Sequence, residues 1–117
     1  MTLPEATYQL DDAVWSRVLK QELASQLQGQ SLVFLCGDAA GQTHQISLLV
    51  TAFELQSRAV PGMAAFRLNF QGPPAPSLPS QTYRARHADW GDFAIMLSAT
   101  GADAQGVYYE AQFSHAL

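Results

Sequence analysis

From Ser31 onward, the sequence is a succession of six short stretches rich in apolar residues, separated by segments that contain Gly, Asp or Pro. The stretches read SLVFLC, THQISLLVTAFEL, AAFRLNF, SQTYRARH, DFAIMLSA and VYYEAQFS. Stretches of this length between turn-forming residues are typical of antiparallel strands joined in chain order. The pattern therefore predicts a six-stranded, mainly antiparallel β-meander over residues 31–114.

Side chains within these stretches alternate between apolar and polar, as they do in a strand with one buried face. Phe66, Leu68 and Phe70 share one face of their stretch, whereas Arg67 and Asn69 share the other. Two further stretches repeat this alternation in the rows Phe93, Ile95, Leu97 and Tyr109, Ala111, Phe113. Because an open six-stranded sheet would leave two edges that invite aggregation, we expect the curved sheet to close into a small barrel or roll.

Residues 11–28 contain neither Gly nor Pro and consist largely of residues that favour helices. The aspartates at the start of this segment can cap a first turn, and Gly29 can end the last one. The apolar residues between them recur at helical spacing and are Val14, Trp15, Val18, Leu19, Leu23 and Leu27. We therefore predict one N-terminal helix, after an arm at residues 1–10, that packs on the curved sheet. With that helix, residues 1–117 form a single α+β domain.

The charge of the chain argues against two classes of partner. Its 117 residues carry six Lys and Arg against ten Asp and Glu, a formal net charge of -4. Nucleic acids and anionic membranes need a clustered basic face, but here only Arg84 and Arg86 share one face of a predicted strand. We therefore expect neither nucleic acid nor a membrane as a partner. The lone cysteine, Cys36, and a start without a basic or apolar run favour a cytoplasmic protein with no signal peptide.

Residues that often carry chemistry are present, but they form no recognisable catalytic or metal-binding pattern. His44, His87 and His115 lie in different parts of the sequence and lack the spacing of metal ligands. Cys36 ends an apolar stretch, where a thiol is a small buried side chain rather than a nucleophile. The aspartates occur at the predicted helix start and in turns, which explains them without an acid–base pair. We therefore expect no catalytic residue, no metal and no cofactor.

Two other features are candidates for a protein interface. The segment after the third stretch contains Pro73, Pro74 and Pro76, and proline-rich segments adopt a pre-extended conformation that partners can bind. The same segment also suits a stiff connector between strands, so both interpretations stay open. Trp90 lies at a predicted hairpin tip, either as an exposed interface anchor or folded back on the sheet. Together with Tyr83 near a strand end, these residues form the predicted interface.

Several short motifs follow one another in a specific order along most of the chain, from about residue 24 to residue 114. They are L-Q-G at 27–29, F-R-L-N-F-Q-G-P at 66–73, L-P-S-Q-T-Y at 78–83 followed by His87 and Gly91, and G-V-Y-Y-E-A-Q-F at 106–113. This order resembles DUF6916, a family of small bacterial domains of unknown function. The resemblance implies no activity, cofactor or catalytic residue. Because genes of the family are associated with neighbours that encode proteins like phage tail collars, it implies a structural or assembly role.

We therefore expect a non-enzymatic module that binds a protein partner or a second copy of itself, in a structural role linked to phage-tail-like or surface assemblies. The small number of charges leaves a comparatively apolar surface, which suits such contacts. The first alternative is a barrel that binds a small molecule, although side chains such as Phe66 must fill much of its interior. The less favoured alternative is a hydrolase-type enzyme that uses His87 with Tyr83 or Asp89.

Overall fold

The computed structural model describes residues 17–37, 40–56 and 60–116 of the chain. Six strands follow one another along it: β1 (Ser31–Gly37), β2 (Thr43–Leu55), β3 (Met63–Gly72), β4 (Gln81–His87), β5 (Gly91–Asp103) and β6 (Gly106–Ala116). They correspond to the six stretches identified in the sequence, and the pairings between them are antiparallel. The predicted six-stranded antiparallel sheet is therefore confirmed.

The strands are hydrogen-bonded in the order β1-β2-β3-β6-β5-β4, and β4 pairs back onto β1, so the sheet forms a closed barrel. This order corrects the predicted simple meander, because β3 pairs with β6 and not with β4. Two three-stranded meanders, β1 to β3 and β4 to β6, are joined by the proline-rich segment 73–80, which we call the crossover. Because proline has no N–H to donate to a strand ladder, the chain leaves the sheet here and returns beside β1.

The crossover packs onto the end of the barrel where β3 ends and β4 begins. Leu78 is buried there, and its backbone N–H donates a hydrogen bond to the Tyr109 hydroxyl oxygen at 2.9 Å. The Tyr83 hydroxyl donates to the carbonyl oxygen of Pro79 at 2.6 Å. Two tyrosines thus provide hydrogen-bond partners for backbone groups of the crossover, which would be costly to bury unpaired.

The helix predicted over residues 11–28 is too long within the described residues. Positions 11–16 lie outside the described residues, and the single helix of the described part, α1, covers only Gln21–Ala24. With one four-residue helix against six strands, the described chain is mainly β, which replaces the predicted α+β class. Within the described ranges, no helix has the length and apolarity needed to cross a membrane.

The residues just before α1 are extended because β5 offers them backbone partners. The Arg17 carbonyl oxygen accepts a hydrogen bond from the Ala94 N–H at 3.0 Å, and Val18 forms a parallel bridge with Ala94. Lys20 also has extended backbone dihedral angles. Helix propensities of ordinary residues differ by less than about 1 kcal/mol, so pairing with a strand and burial of side chains can override them.

This extended segment fills a gap in the barrel wall. β5 pairs with β6 through residues 98–103 of β5, so the first half of β5 and the second half of β6 diverge. The N-terminal segment enters between them, bonded to β5 through Arg17 and to β6 through the Gln21 N–H, which donates to Nε2 of His115 at 3.0 Å. Leu19 and Ala24 are both 0% exposed. The segment therefore completes the wall with its own apolar side chains.

Apolar side chains occupy the interior of the barrel. The row Phe66, Leu68 and Phe70 is buried, as the alternation predicts. The Phe34 ring lies 5.5 Å from the Phe70 ring and 6.0 Å from the Tyr83 ring between centroids, and both pairs have edge-to-face geometry. The centre of the barrel is therefore packed with aromatic and aliphatic side chains.

Candidate functional site

The turn between β4 and β5, residues 88–90, carries a partly exposed tryptophan. Trp90 is half-buried and packs against the edge of the core. Its ring stacks on the His87 ring, with centroids 4.0 Å apart and planes 14° from parallel. Of the two interpretations left open by the sequence, the folded-back one describes the ring's packing, although part of the indole remains exposed. Trp90 is thus held in one orientation at the surface.

His87 fixes this turn through both of its ring nitrogens. The ring is buried, and Nδ1 accepts hydrogen bonds from the backbone N–H groups of Asp89 at 3.0 Å and Trp90 at 3.2 Å. A nitrogen that accepts two N–H groups carries no proton, so the proton of the neutral ring is on Nε2. Nε2 then donates to the side-chain oxygen of Gln30 at 2.9 Å. The histidine therefore ties the turn to the residue that precedes β1.

The hydrogen bonds of His87 do not assemble the hydrolase site considered from the sequence. A catalytic histidine is usually oriented by a carboxylate and faces a bound substrate. Here an amide side chain and two backbone N–H groups occupy the ring nitrogens, and Asp89 supplies its N–H. Tyr83 bonds to the crossover on the other end of β4, and burial raises the pKa of its hydroxyl to about 12. His87 therefore contacts Asp89 only through the backbone N–H of Asp89, and Tyr83 bonds to a different part of the chain.

Three arginines meet at Asp92, next to Trp90, two on its carboxylate and one on its backbone oxygen. The Asp92 side chain accepts hydrogen bonds from Nε of Arg84 at 2.5 Å and from Nε of Arg86 at 2.8 Å. Arg17 donates from Nε to the backbone oxygen of Asp92 at 3.2 Å and also to the backbone oxygen of Trp90. Burial acts to raise the pKa of Asp92, but the two arginine side chains outweigh it, and the net shift is downward. Asp92 is thus ionised at neutral pH and holds the arginines together.

We call the group formed by Arg17, Arg84, Arg86 and Trp90 the Trp90 surface. Its three positive charges exceed the two negative charges of Asp92 and of Asp89 in the same turn, although the whole chain has a formal net charge of -4. The Arg86 side chain is 42% exposed, and Arg17 is exposed as well. The structure therefore joins a positioned aromatic ring to a locally basic environment.

The other predicted interface residues lie elsewhere. Pro73, Pro74 and Pro76 are exposed in the crossover, which precedes β4, whereas the Trp90 turn follows it. At about 3.3 Å per residue, the seven residues of β4 separate the two sites by roughly 20 Å. Tyr83 is 2% exposed and is a core residue, which corrects its assignment to the interface. The predicted interface is thus two distant surfaces and one buried side chain.

The sequence reasoning missed the roles of Arg17 and Asp92. The signal for Asp92 was available, because a short turn after His87 places Arg86 directly opposite Asp92 in a hairpin. Cross-strand pairs of opposite charge are a common way to stabilise a sheet. Arg17 could not be found in this way, because the segment around it has the periodicity of a helix and not of a strand.

Cysteine and histidine side chains elsewhere could also serve catalysis or metal binding, but the described residues form no such site around them. Burial raises the pKa of the Cys36 thiol, which therefore stays protonated at neutral pH. His115 accepts the Gln21 N–H through Nε2, and His44 lies at the start of the exposed part of β2. Within residues 17–37, 40–56 and 60–116, no three His, Cys, Asp or Glu side chains come together in a way that could hold a metal ion.

Comparison with known families gives one result. The family model described as a domain of unknown function, DUF6916, matches residues 19–113. Comparisons with curated proteins and with solved structures give no match. The matched range begins at the buried Leu19 and ends in β6, so it includes most of the barrel and the N-terminal segment from Leu19 onward, but not Arg17 or Val18. The resemblance noted from the motifs is therefore confirmed.

Proposed function

The chain belongs to the DUF6916 family, and we propose that it is a non-enzymatic binding module whose Trp90 surface docks a partner protein in a structural assembly. The observation that supports this function best is the state of Trp90. Its indole is partly exposed, yet stacking on His87 and the two hydrogen bonds to His87 Nδ1 hold the turn that carries it. A large aromatic side chain that is already ordered loses little entropy on binding.

The neighbours of Trp90 favour a protein as the partner. Tryptophan and arginine are the residue types most enriched at the energetic centres of protein interfaces. Arg17 donates to the Trp90 carbonyl oxygen, and Arg86 stands on the adjacent strand, bonded to Asp92. The excess of positive charge favours a partner surface that presents carboxylates around an apolar depression able to receive the indole.

The two alternatives drawn from the sequence have less support. A hydrolase would need His87 free to take a proton, whereas both of its nitrogens hold the turn in place. A small-molecule carrier would need space inside the barrel, whereas rings such as Phe34 and Phe70 are packed against each other there. Binding through the surface requires neither a free His87 ring nor space inside the barrel.

Affinity capture from cells of the organism that encodes the protein would test the proposed function. Three tagged proteins are compared: wild type, Trp90→Ala, and a matched control in which Pro73, Pro74 and Pro76 are replaced by Ser. Each is first shown by circular dichroism and thermal unfolding to be folded. We expect a partner that wild type and the proline variant retain and that Trp90→Ala loses. A wild type that captures nothing, or the same proteins captured by all three, would contradict the proposal.

A further inference from the structure

The gap between β5 and β6 is occupied by an extended segment of the chain itself. We call Arg17–Leu19 the strap and the half-strand Gly91–Leu97 the acceptor edge. The strap lies parallel to the acceptor edge through the bridge between Val18 and Ala94, and the Ala94 N–H donates to the Arg17 carbonyl oxygen at 3.0 Å. The acceptor edge pairs with β4 on its other side. The strap thus takes the place of a seventh strand.

Side chains of the strap are bound in a specific way. The Arg17 guanidinium donates to the backbone oxygens of Trp90 and Asp92 and lies 4.3 Å above the centroid of the Phe93 ring. Leu19 is 0% exposed, whereas Val18 between them is 55% exposed. Backbone pairing combined with recognition of alternate side chains is the way in which a peptide adds to the edge of a sheet. The gap therefore holds the Arg17 guanidinium by specific contacts and buries the side chain of Leu19, two residues later.

The connection from the strap to the barrel can act as a hinge. Gly29 and Gln30 are already paired with Val50 of β2 through two backbone hydrogen bonds of 2.8 Å, so the barrel proper begins there. Between α1 and Gly29, Ser25, Gln26 and Gln28 are exposed, whereas Leu27 is buried and belongs to the part that moves with the strap and α1. The φ angle of Gly29 is 88°, a conformation in which the chain reverses and which glycine adopts without strain. A change of a few backbone angles in this segment would swing the strap and α1 away from the acceptor edge.

We propose that the acceptor edge also binds the strap of a second copy of this chain, which gives a reciprocal strand-exchanged dimer. A second copy is the favoured occupant because it carries the same Arg17 and Leu19 that fit the site in the monomer. Exchange of identical elements forms no new kind of contact and breaks none outside the hinge, so its cost is low. High protein concentration favours the dimer, because the strap from another molecule then competes with the one attached to the same chain.

The acceptor site is tested with a peptide of residues 17–27 added to the full-length protein. In the Arg17→Ala protein, the attached strap has lost its guanidinium contacts while the exposed position tolerates alanine. The peptide should therefore bind this protein at least about tenfold more tightly than wild type, in which the intact strap competes. NMR shifts of the amides from Gly91 to Leu97 locate the binding. The matched control protein is Lys20→Ala, exposed in the same segment, and the control peptide carries Arg17→Ala.

The partner is tested by mass measurement in solution after wild-type protein is unfolded and refolded at high concentration. We expect a dimer whose fraction rises with the concentration at refolding and falls when excess peptide is present. Failure of the peptide to bind folded Arg17→Ala protein would overturn the acceptor site. If the Arg17→Ala protein binds the peptide but wild type stays monomeric at every concentration, a second copy of the chain is not the occupant. Neither result depends on the partner proposed for the Trp90 surface.

Discussion

Nδ1 of His87 accepts hydrogen bonds from two successive backbone N–H groups, and this one atom orders the turn that carries Trp90. Nε2 of the same ring extends the connection to Gln30, before β1. The ring face is also used, because Trp90 stacks on it. A buried histidine with all of these partners is a structural residue whose removal should affect both the stability and the orientation of the indole.

His87→Phe should therefore destabilise the protein while it keeps an aromatic ring beneath Trp90. The substitution leaves the N–H groups of Asp89 and Trp90 and the Gln30 oxygen without their partner, and we expect a loss of about 1–3 kcal/mol in the free energy of unfolding. Urea denaturation measures it. Asp89→Ala, which keeps the backbone N–H, is the control and should stay within about 0.5 kcal/mol of wild type. Equal stability of His87→Phe and wild type would show that the hydrogen bonds at Nδ1 are not formed.

The raised pKa of the Tyr83 hydroxyl predicts that the protein loses stability at alkaline pH. Burial, with smaller contributions from Cys36 and Tyr109, raises the pKa of this hydroxyl to about 12, above the ordinary value of 10.0. Because the folded state binds this proton more tightly, its stabilising effect is complete below pH 10 and is lost as the pH rises through 12. Two pH units correspond to a loss on the order of 2–3 kcal/mol. Urea denaturation between pH 9 and 12 should show this loss in wild type and a smaller one in Tyr83→Phe; parallel curves would refute it.

At the scale of elements, the junction of β3 with β6 depends on close backbone approach. Gly106 has a φ angle of 155°, and a Cβ atom there would lie 2.2 Å from the carbonyl oxygen of Gly72. That carbonyl belongs to the backbone and cannot turn away as a flexible side chain could. Gly106 is therefore a position at which the ring of strands tolerates no side chain.

Gly106→Ala should lower the free energy of unfolding by about 1–3 kcal/mol, since the β3–β6 pairing must shift to admit the methyl group. Gly101→Ala in β5 provides a matched control, because a Cβ atom there would meet nothing within 4 Å. The control should change stability by no more than about 0.5 kcal/mol. Thermal unfolding of the two variants side by side makes the comparison. If Gly106→Ala is as stable as Gly101→Ala, the backbone of Gly106 does not lie as close to the Gly72 carbonyl oxygen as described.

Strands and their buried faces could be predicted from the sequence because alternation over a few residues depends on local information. The order of the strands in the sheet could not be predicted, because the residues of the crossover do not indicate which strand β4 pairs with after it. The helix was predicted too long because Val18 and Leu19 belong to a helical repeat, and yet Val18 bridges to β5 and Leu19 is buried in an extended segment. Of the candidate site, Trp90 was identified, whereas its partner Arg17 depends on a contact between distant parts of the chain.

For the molecule as a whole, the distribution of charge gives the barrel two different faces. On β2, β3 and β6, Arg67 is paired with the two carboxylates of Glu54 and Glu110, so that group is negative. On β4, β5 and the strap, three arginines contact Asp92 and outnumber the carboxylates of Asp92 and Asp89, so the Trp90 surface carries a net positive charge. A partner that carries negative charge is thus attracted to one side of the barrel, and this attraction weakens as salt screens it.

Titration calorimetry with the partner captured by wild type tests the proposed docking role of Trp90 most directly. Trp90→Ala should raise the dissociation constant about 30-fold, which corresponds to roughly 2 kcal/mol of binding free energy for the loss of a central tryptophan. The variant with Pro73, Pro74 and Pro76 replaced by Ser should bind within about twofold of wild type, because those residues lie at the other end of β4. If instead the proline variant loses the partner and Trp90→Ala binds like wild type, the interface lies on the crossover and the Trp90 surface has no part in it.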